Sequence, residues 1–105
     1  MEHIVVLVTC PDKEIGRKIA KSLVEEKLAA CINIVDGLNS IYYWQGKVED
    51  DSEVLLIIKT RKDHCEKLEK FIKENHPYSV PEIIAMPIVK GSQDYLNWID
   101  ETLSR

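Results

Sequence analysis

A chain of 105 residues with 45% hydrophobic and 30% charged side chains has the balance of an ordinary soluble domain, which excludes a disordered or fibrous protein. Lys and Arg number 14 against 18 Asp and Glu, a net charge of −4, and no basic block or stripe stands out, so a nucleic-acid surface is not expected. Three cysteines, Cys10, Cys31 and Cys65, are an odd number without zinc-knuckle or redox-dithiol spacing, and they fit reduced thiols in the cytosol.

The start MEHIVVLVTC has an apolar run too short for a membrane span and no basic leader, so it predicts a strand in a cytoplasmic chain. Ile4 to Val8 is a continuous, largely β-branched run of the kind found in the middle of a sheet. Pro11 and Asp12 end it, with Asp12 a candidate N-cap and Glu14 well placed in the first turn of a helix. Ile15, Ile19 and Leu23, joined by Ala20 and Val24, form that helix's apolar stripe. Cys31 to Val35 reads as a strand, Asp36-Gly37 as a break or bulge, and Ile41 to Trp44 as its continuation. Gln45-Gly46-Lys47 can reverse the chain, and Val54 to Ile58 is a second candidate for a central strand. Asp63 and Glu66 have the spacing of a capping box for a helix whose inner face is Cys65, Leu68, Phe71 and Ile72.

Between that helix and the next strand lies His76 to Glu82, HPYSVPE. Its two prolines fix their own φ and push His76 and Val80 toward extended backbone, making a rigid elbow that carries an imidazole, a phenol and a carboxylate. Ile83 to Val89 predicts a strand that Pro87 confines to a sheet edge or a bulge. Ser92 can cap a last helix lined by Leu96, Ile99 and Leu103, with Tyr95 and Trp98 beside them. The whole of 1–105 is expected to form one α+β domain of β-α-β-β-α-β order plus a C-terminal helix, the ferredoxin-like split βαβ pattern.

HPYSVPE, together with LAACINI (Leu28 to Ile34), SIYYWQGK (Ser40 to Lys47), EVLLIIKT (Glu53 to Thr60) and YLNWI (Tyr95 to Ile99), closely resembles the CutA family, the divalent-cation tolerance proteins. The five strings stand in family-like order and spacing and cover nearly the whole chain. The resemblance implies a homotrimer similar to the PII signalling proteins, with the hairpin around Tyr42 to Asp51 reaching a neighbour. It also implies a cleft between subunits lined by Trp44, Glu53, Lys59, His76, Tyr78 and Glu82 with Tyr95 and Trp98. Such a cleft can take a metal, a small anion or a nucleotide, or serve the trimer itself.

The metal function implied by the resemblance, with copper foremost, would use His76, a cysteine thiolate and Glu82. Imidazole is a general metal ligand, yet a histidine at a helix exit more commonly caps or bonds locally, and this chain has Asn75-His76 where some relatives carry two histidines. Cys10, at a strand-to-helix junction, is placed for a lowered pKa and so for soft Cu(I) ligation. Cys31 reads as a small buried side chain, and His64-Cys65 either as an opportunistic pair or as surface chance. Tyr42, Tyr43 and Trp44 alternate along a strand and are read as oligomer contacts. Lys59 is expected to snorkel or to pair with Glu53 or Glu82. No phosphate loop, nucleophile elbow, two-metal cluster or triad is present, so no enzyme is expected.

Overall fold

Inward-pointing apolar residues at every second position build the centre of the molecule. Ile4, Val6, Val8 and Cys10 alternate on β1 (His3–Cys10), and Val54, Leu56, Ile58 and Thr60 do so on β3 (Lys47–Arg61); all are buried. The computed structural model describes residues 2–104. Its other elements are α1 (Lys13–Glu25), β2 (Cys31–Trp44), a short 3-10 turn at Lys62–His64, α2 (Cys65–Asn75), β4 (Ile83–Pro87) and α3 (Gln93–Leu103). The strands form one antiparallel sheet in the order β2-β3-β1-β4. This is the ferredoxin-like arrangement, and its two central strands are the two continuous apolar runs.

On one face, α1 contributes Ile19 and Leu23 and α2 contributes Leu68 and Ile72 to a core shared with Val6, Val8, Leu56 and Ile58. Directly paired residues of antiparallel strands share a face, so the register assigns Val5, Leu7, Leu55 and Ile57 to the opposite one. Those four are only half-buried, and Val35, Ile84 and Met86 stand exposed beside them. At one end of this second face α3 packs Ile99 and Leu103 with Ala30, and its Asp100 bonds His3 at 2.9 Å and Arg61 at 3.5 Å. Among the described residues, no helix is long and apolar enough to cross a membrane.

Several local expectations are met and others change. Asp12 caps α1, its carboxylate accepting from the Ile15 amide at 2.8 Å. Asp63 caps nothing. The guanidinium of Arg61, two residues back, takes both of its carboxylate oxygens at 3.0 and 3.1 Å, His64 takes one as well, and α2 starts two residues later without a side-chain cap. These partners hold the Asp63 carboxyl down at about 2. Ser92 stands at the N-cap of α3 but makes no side-chain cap bond. The last strand ends at Pro87, short of Val89, and lies at the sheet edge where a missing N–H is tolerated. Of the opposite charges spaced along α2, Glu69 and Lys73 form an ion pair at 2.9 Å.

The β2–β3 hairpin turns through Gln45 and Gly46, both at positive φ (50° and 79°), as a two-residue loop demands. A bulge interrupts its ladder between Val35 and Leu38, with Gly37 at φ 78°. The extra residue changes which side chains face which way. Before it Cys31, Asn33 and Val35 share the second face; after it Leu38, Ser40, Tyr42 and Trp44 do, opposite Glu53, Asp51, Glu49 and Lys47.

The two candidate caps separate cleanly in a test. Asp12→Ala is expected to cost about 1 kcal/mol in denaturant unfolding, whereas Ser92→Ala changes stability by no more than a few tenths of a kcal/mol, at matched protein concentration.

Candidate functional site

Where the bulge-shifted half of β2, the middle of β3 and the elbow after α2 meet, they enclose a cleft of about 650 Å³. Ser40, Ile41, Tyr42 and Trp44 line it from β2, Glu53 from β3, Thr9 from the end of β1, and Tyr78, Ser79, Val80 and Glu82 from the elbow. No Lys or Arg is among these residues. Trp44, Glu53, Tyr78 and Glu82 of the expected set are thus brought together.

Glu53 is the unusual member. It is a carboxylate only 6% exposed in the middle of a sheet strand, and the Tyr78 hydroxyl donates to its Oε2 at 2.9 Å. Burial, with the hydrogen bond and the charge of Glu53 behind it, pushes the Tyr78 phenol well above its usual range. Across the cleft the Tyr42 hydroxyl donates to Asp51, and that bond is the main reason its phenol rises to about 12. Both phenols therefore serve as fixed donors to carboxylates at neutral pH. Glu82 is exposed at the rim.

His76, 8% exposed, sits at the back of the elbow with both ring nitrogens in use. Nε2 is 2.7 Å from the Thr9 carbonyl oxygen, and Nδ1 accepts from the Tyr78 amide at 3.1 Å. This is the local bonding role open to a helix-exit histidine. Cys10 departs from expectation. The alternation of β1 turns its side chain into the core, where it is fully buried, and Asp12 rather than a thiolate meets the first turn of α1. Burial first, then the charges of Glu53 and Asp12, push its thiol up to about 11, so the expected lowering is reversed. Among the described residues no three His, Cys, Asp or Glu side chains converge as a metal-holding group, and within one chain Cys10, His76 and Glu82 do not assemble.

Lys59 pairs with neither Glu53 nor Glu82. It stands six positions along the strand from Glu53, roughly 20 Å away, and its amine donates instead to Asn33 Oδ1 and, at 3.3 Å, to the Ile57 carbonyl. Tyr95 and Trp98 stack on α3 with centroids 5.5 Å apart, toward the Cys31 end of the sheet. Burial, then a hydrogen bond with the Cys31 thiol, raises the Tyr95 phenol. Within one chain these two residues lie away from the cleft. The sequence reading passed over Thr9, Ser40 and Asp51. Asp51 was accessible by counting back from the turn, since positions paired across Gln45-Gly46 sum to a constant and place it opposite Ser40, diagonal to Tyr42.

Comparison with known proteins is consistent along the chain. Residues 4–102 match the family model of the CutA1 divalent ion tolerance protein. The chain belongs to the CutA1 family. It is 56% identical over 97 residues to the divalent-cation tolerance protein CutA of Thermus thermophilus, covering 92% of this chain and 94% of that one. To the chloroplastic CutA of Arabidopsis thaliana it is 57% identical over 96 residues, but there it spans only 53% of the relative's length. Among solved structures, CutA1 from Oryza sativa superposes with a TM-score of 0.95 at 51% identity, covering 97% of this chain and 94% of the other. A CutA from Archaeoglobus fulgidus, described as periplasmic, gives 0.94 at 40% identity over 96% and 98% of the two chains.

Two measurements test this CutA1 site. A Tyr78→Phe and Glu53→Met double-mutant cycle, in which neither replacement can keep the bond, is expected to return a coupling of about 1.5 to 3 kcal/mol in denaturant unfolding, the range for a hydrogen bond to a charged group. The Cys10 thiol has a folded pKa above the ordinary 9.0, so its contribution is complete below pH 9.0 and is lost as pH rises toward about 11. Wild type is therefore expected to lose stability over that window more steeply than Cys10→Ala, measured as the denaturant midpoint against pH.

Proposed function

We propose that this protein works in divalent-cation tolerance as a non-catalytic binding protein, a cytoplasmic homotrimer that takes up the cation in the Glu53–Glu82 cleft. The observation that carries the reading is the Glu53 carboxylate, buried to 6% exposure, fixed by Tyr78 and lying on a cleft without a lining cation, with the Glu82 carboxylate on the same cleft. Membership in a family described by divalent ion tolerance supports the cation as cargo. The half-buried apolar face of Val5, Leu7, Leu55 and Ile57 supports self-association, since a second layer normally covers such a face.

With the phenols given over to hydrogen bonds with carboxylates, the donors on offer are carboxylate oxygens. They suit hard divalent ions, and they do not suit Cu(I), for which Cys10 would have been needed. Affinity among first-row divalent ions peaks at copper(II) for most sites, so copper remains the first cation to test. A second reading rests on size. A cleft of about 650 Å³ with Trp44 and Tyr42 on its wall is far larger than one ion and has the dimensions of a small-molecule site, as a PII-like signalling scaffold would require.

Calorimetric titration of the reduced protein with copper(II) chloride, with light scattering on the same sample, separates the two. The cation reading predicts one stoichiometric site per chain in a trimer, with affinity falling by at least about tenfold in Glu82→Gln and in Glu53→Gln, the size of one charged contact. Copper uptake that is nonstoichiometric, or unchanged in both variants, contradicts it and favours the small-molecule site.

A further inference from the structure

The residue most expected to hold a metal in this fold has no free donor atom with which to do so. A carbonyl only accepts and a backbone amide only donates, so the His76 proton must sit on Nε2, toward Thr9, and the Nδ1 lone pair is committed to the Tyr78 amide. Coordination through Nε2 would leave the buried Thr9 carbonyl without this partner, and coordination through Nδ1 would take the acceptor from the half-buried Tyr78 amide. Behind the ring, Lys18 of α1 and Glu74 of α2 border a separate cavity of about 310 Å³, and among the described residues no carboxylate oxygen is bonded to either ring nitrogen.

His76 borders that second cavity and not the cleft, but the two residues it bonds belong to the cleft. Thr9 and Tyr78 both line it, and the imidazole lies against the Tyr78 phenol with centroids 4.8 Å apart and planes inclined by 52°. The hydroxyl of that phenol in turn holds Glu53. One ring thus joins the end of β1 to the elbow and, through Tyr78, to β3. We propose that His76 is a positioning residue of the cleft, not a metal ligand: its Nδ1 sets where Tyr78 stands, its Nε2 ties that wall to Thr9, and Tyr78 then presents the Glu53 carboxylate to whatever enters. This rests on reading the cleft as the binding site.

The assignment distinguishes His76→Gln from His76→Ala. Glutamine offers one donor and one acceptor on a side chain of similar reach but has no imidazole, whereas alanine has neither. In ligand-free protein, the Glu53 side-chain carboxyl ¹³C signal is expected to stay at its wild-type position in His76→Gln and to move in His76→Ala. Titrated with copper(II) chloride, His76→Gln should keep its affinity within about threefold of wild type and His76→Ala should lose at least about tenfold. Electron paramagnetic resonance of copper(II)-loaded wild type should carry no imidazole nitrogen splitting at that site. Nitrogen splitting that disappears in both variants, or a glutamine variant as impaired as the alanine one, overturns the proposal. Should copper bind neither wild type nor variants, the cation reading of the cleft fails while the ligand-free Glu53 signal still decides what His76 does.

Discussion

A carboxylate placed in the middle of a β-strand and withdrawn from water demands a partner, and the Glu53–Tyr78 hydrogen bond supplies it. Left without a donor, Glu53 would carry the full cost of a buried charge, several kcal/mol in an environment such as this. The elbow therefore cannot move away from the sheet freely, and its two prolines limit the conformations it would have if it did. His76 closes the arrangement from behind by bonding Thr9 and Tyr78 together. The cleft wall is in this sense a consequence of one buried charge and the short chain of donors that satisfies it.

Its opposite wall depends on a single extra residue. Without the bulge at Asp36-Gly37, strand alternation would send Tyr42 and Trp44 to the helix-covered side and leave Glu53 facing their neighbours instead. The bulge reverses the alternation along the outer half of β2 while its inner half, Ile32 and Ile34, still packs on the core. The same strand thus serves two surfaces. A hairpin extending from an otherwise small sheet also accounts for the elongated shape, 44 Å in its longest dimension against 25 and 22 Å.

Periodicity carried the fold well because the informative segments are long and their signals local. The two continuous apolar runs became the central strands, and Asp12, whose cap bond spans three residues, was legible directly. Asp63 had the same form and failed, because a guanidinium two residues earlier offers a stronger, bidentate bond than a backbone amide. Cys10 was misread for a different reason. Its nearness to a helix start suggested a thiolate, while the alternation from Ile4 already placed it with Val6 and Val8 in the core. Resemblance, not periodicity, grouped Glu53, Tyr78, Glu82 and Trp44, as lining between subunits; within the chain they border one cleft, and the Tyr78–Glu53 bond that joins its walls spans 25 positions, which no local pattern encodes. Lys59, a cation ending an apolar strand, was expected to snorkel or to pair with Glu53 or Glu82; the strand's own length keeps Glu53 out of reach, and the amine bonds Asn33 and the Ile57 carbonyl.

On the function proposed for this member of the CutA1 family, the oxygen donors of the cleft, rather than the thiol and the imidazole, would hold the cation. The most direct test of that account is the anomalous scattering from crystals of the reduced protein equilibrated with copper(II), recorded at the copper absorption edge. The account predicts a peak beside the Glu53 and Glu82 carboxylates with the His76–Thr9 and His76–Tyr78 bonds intact. A peak on the His76 ring or on a cysteine sulfur would contradict it.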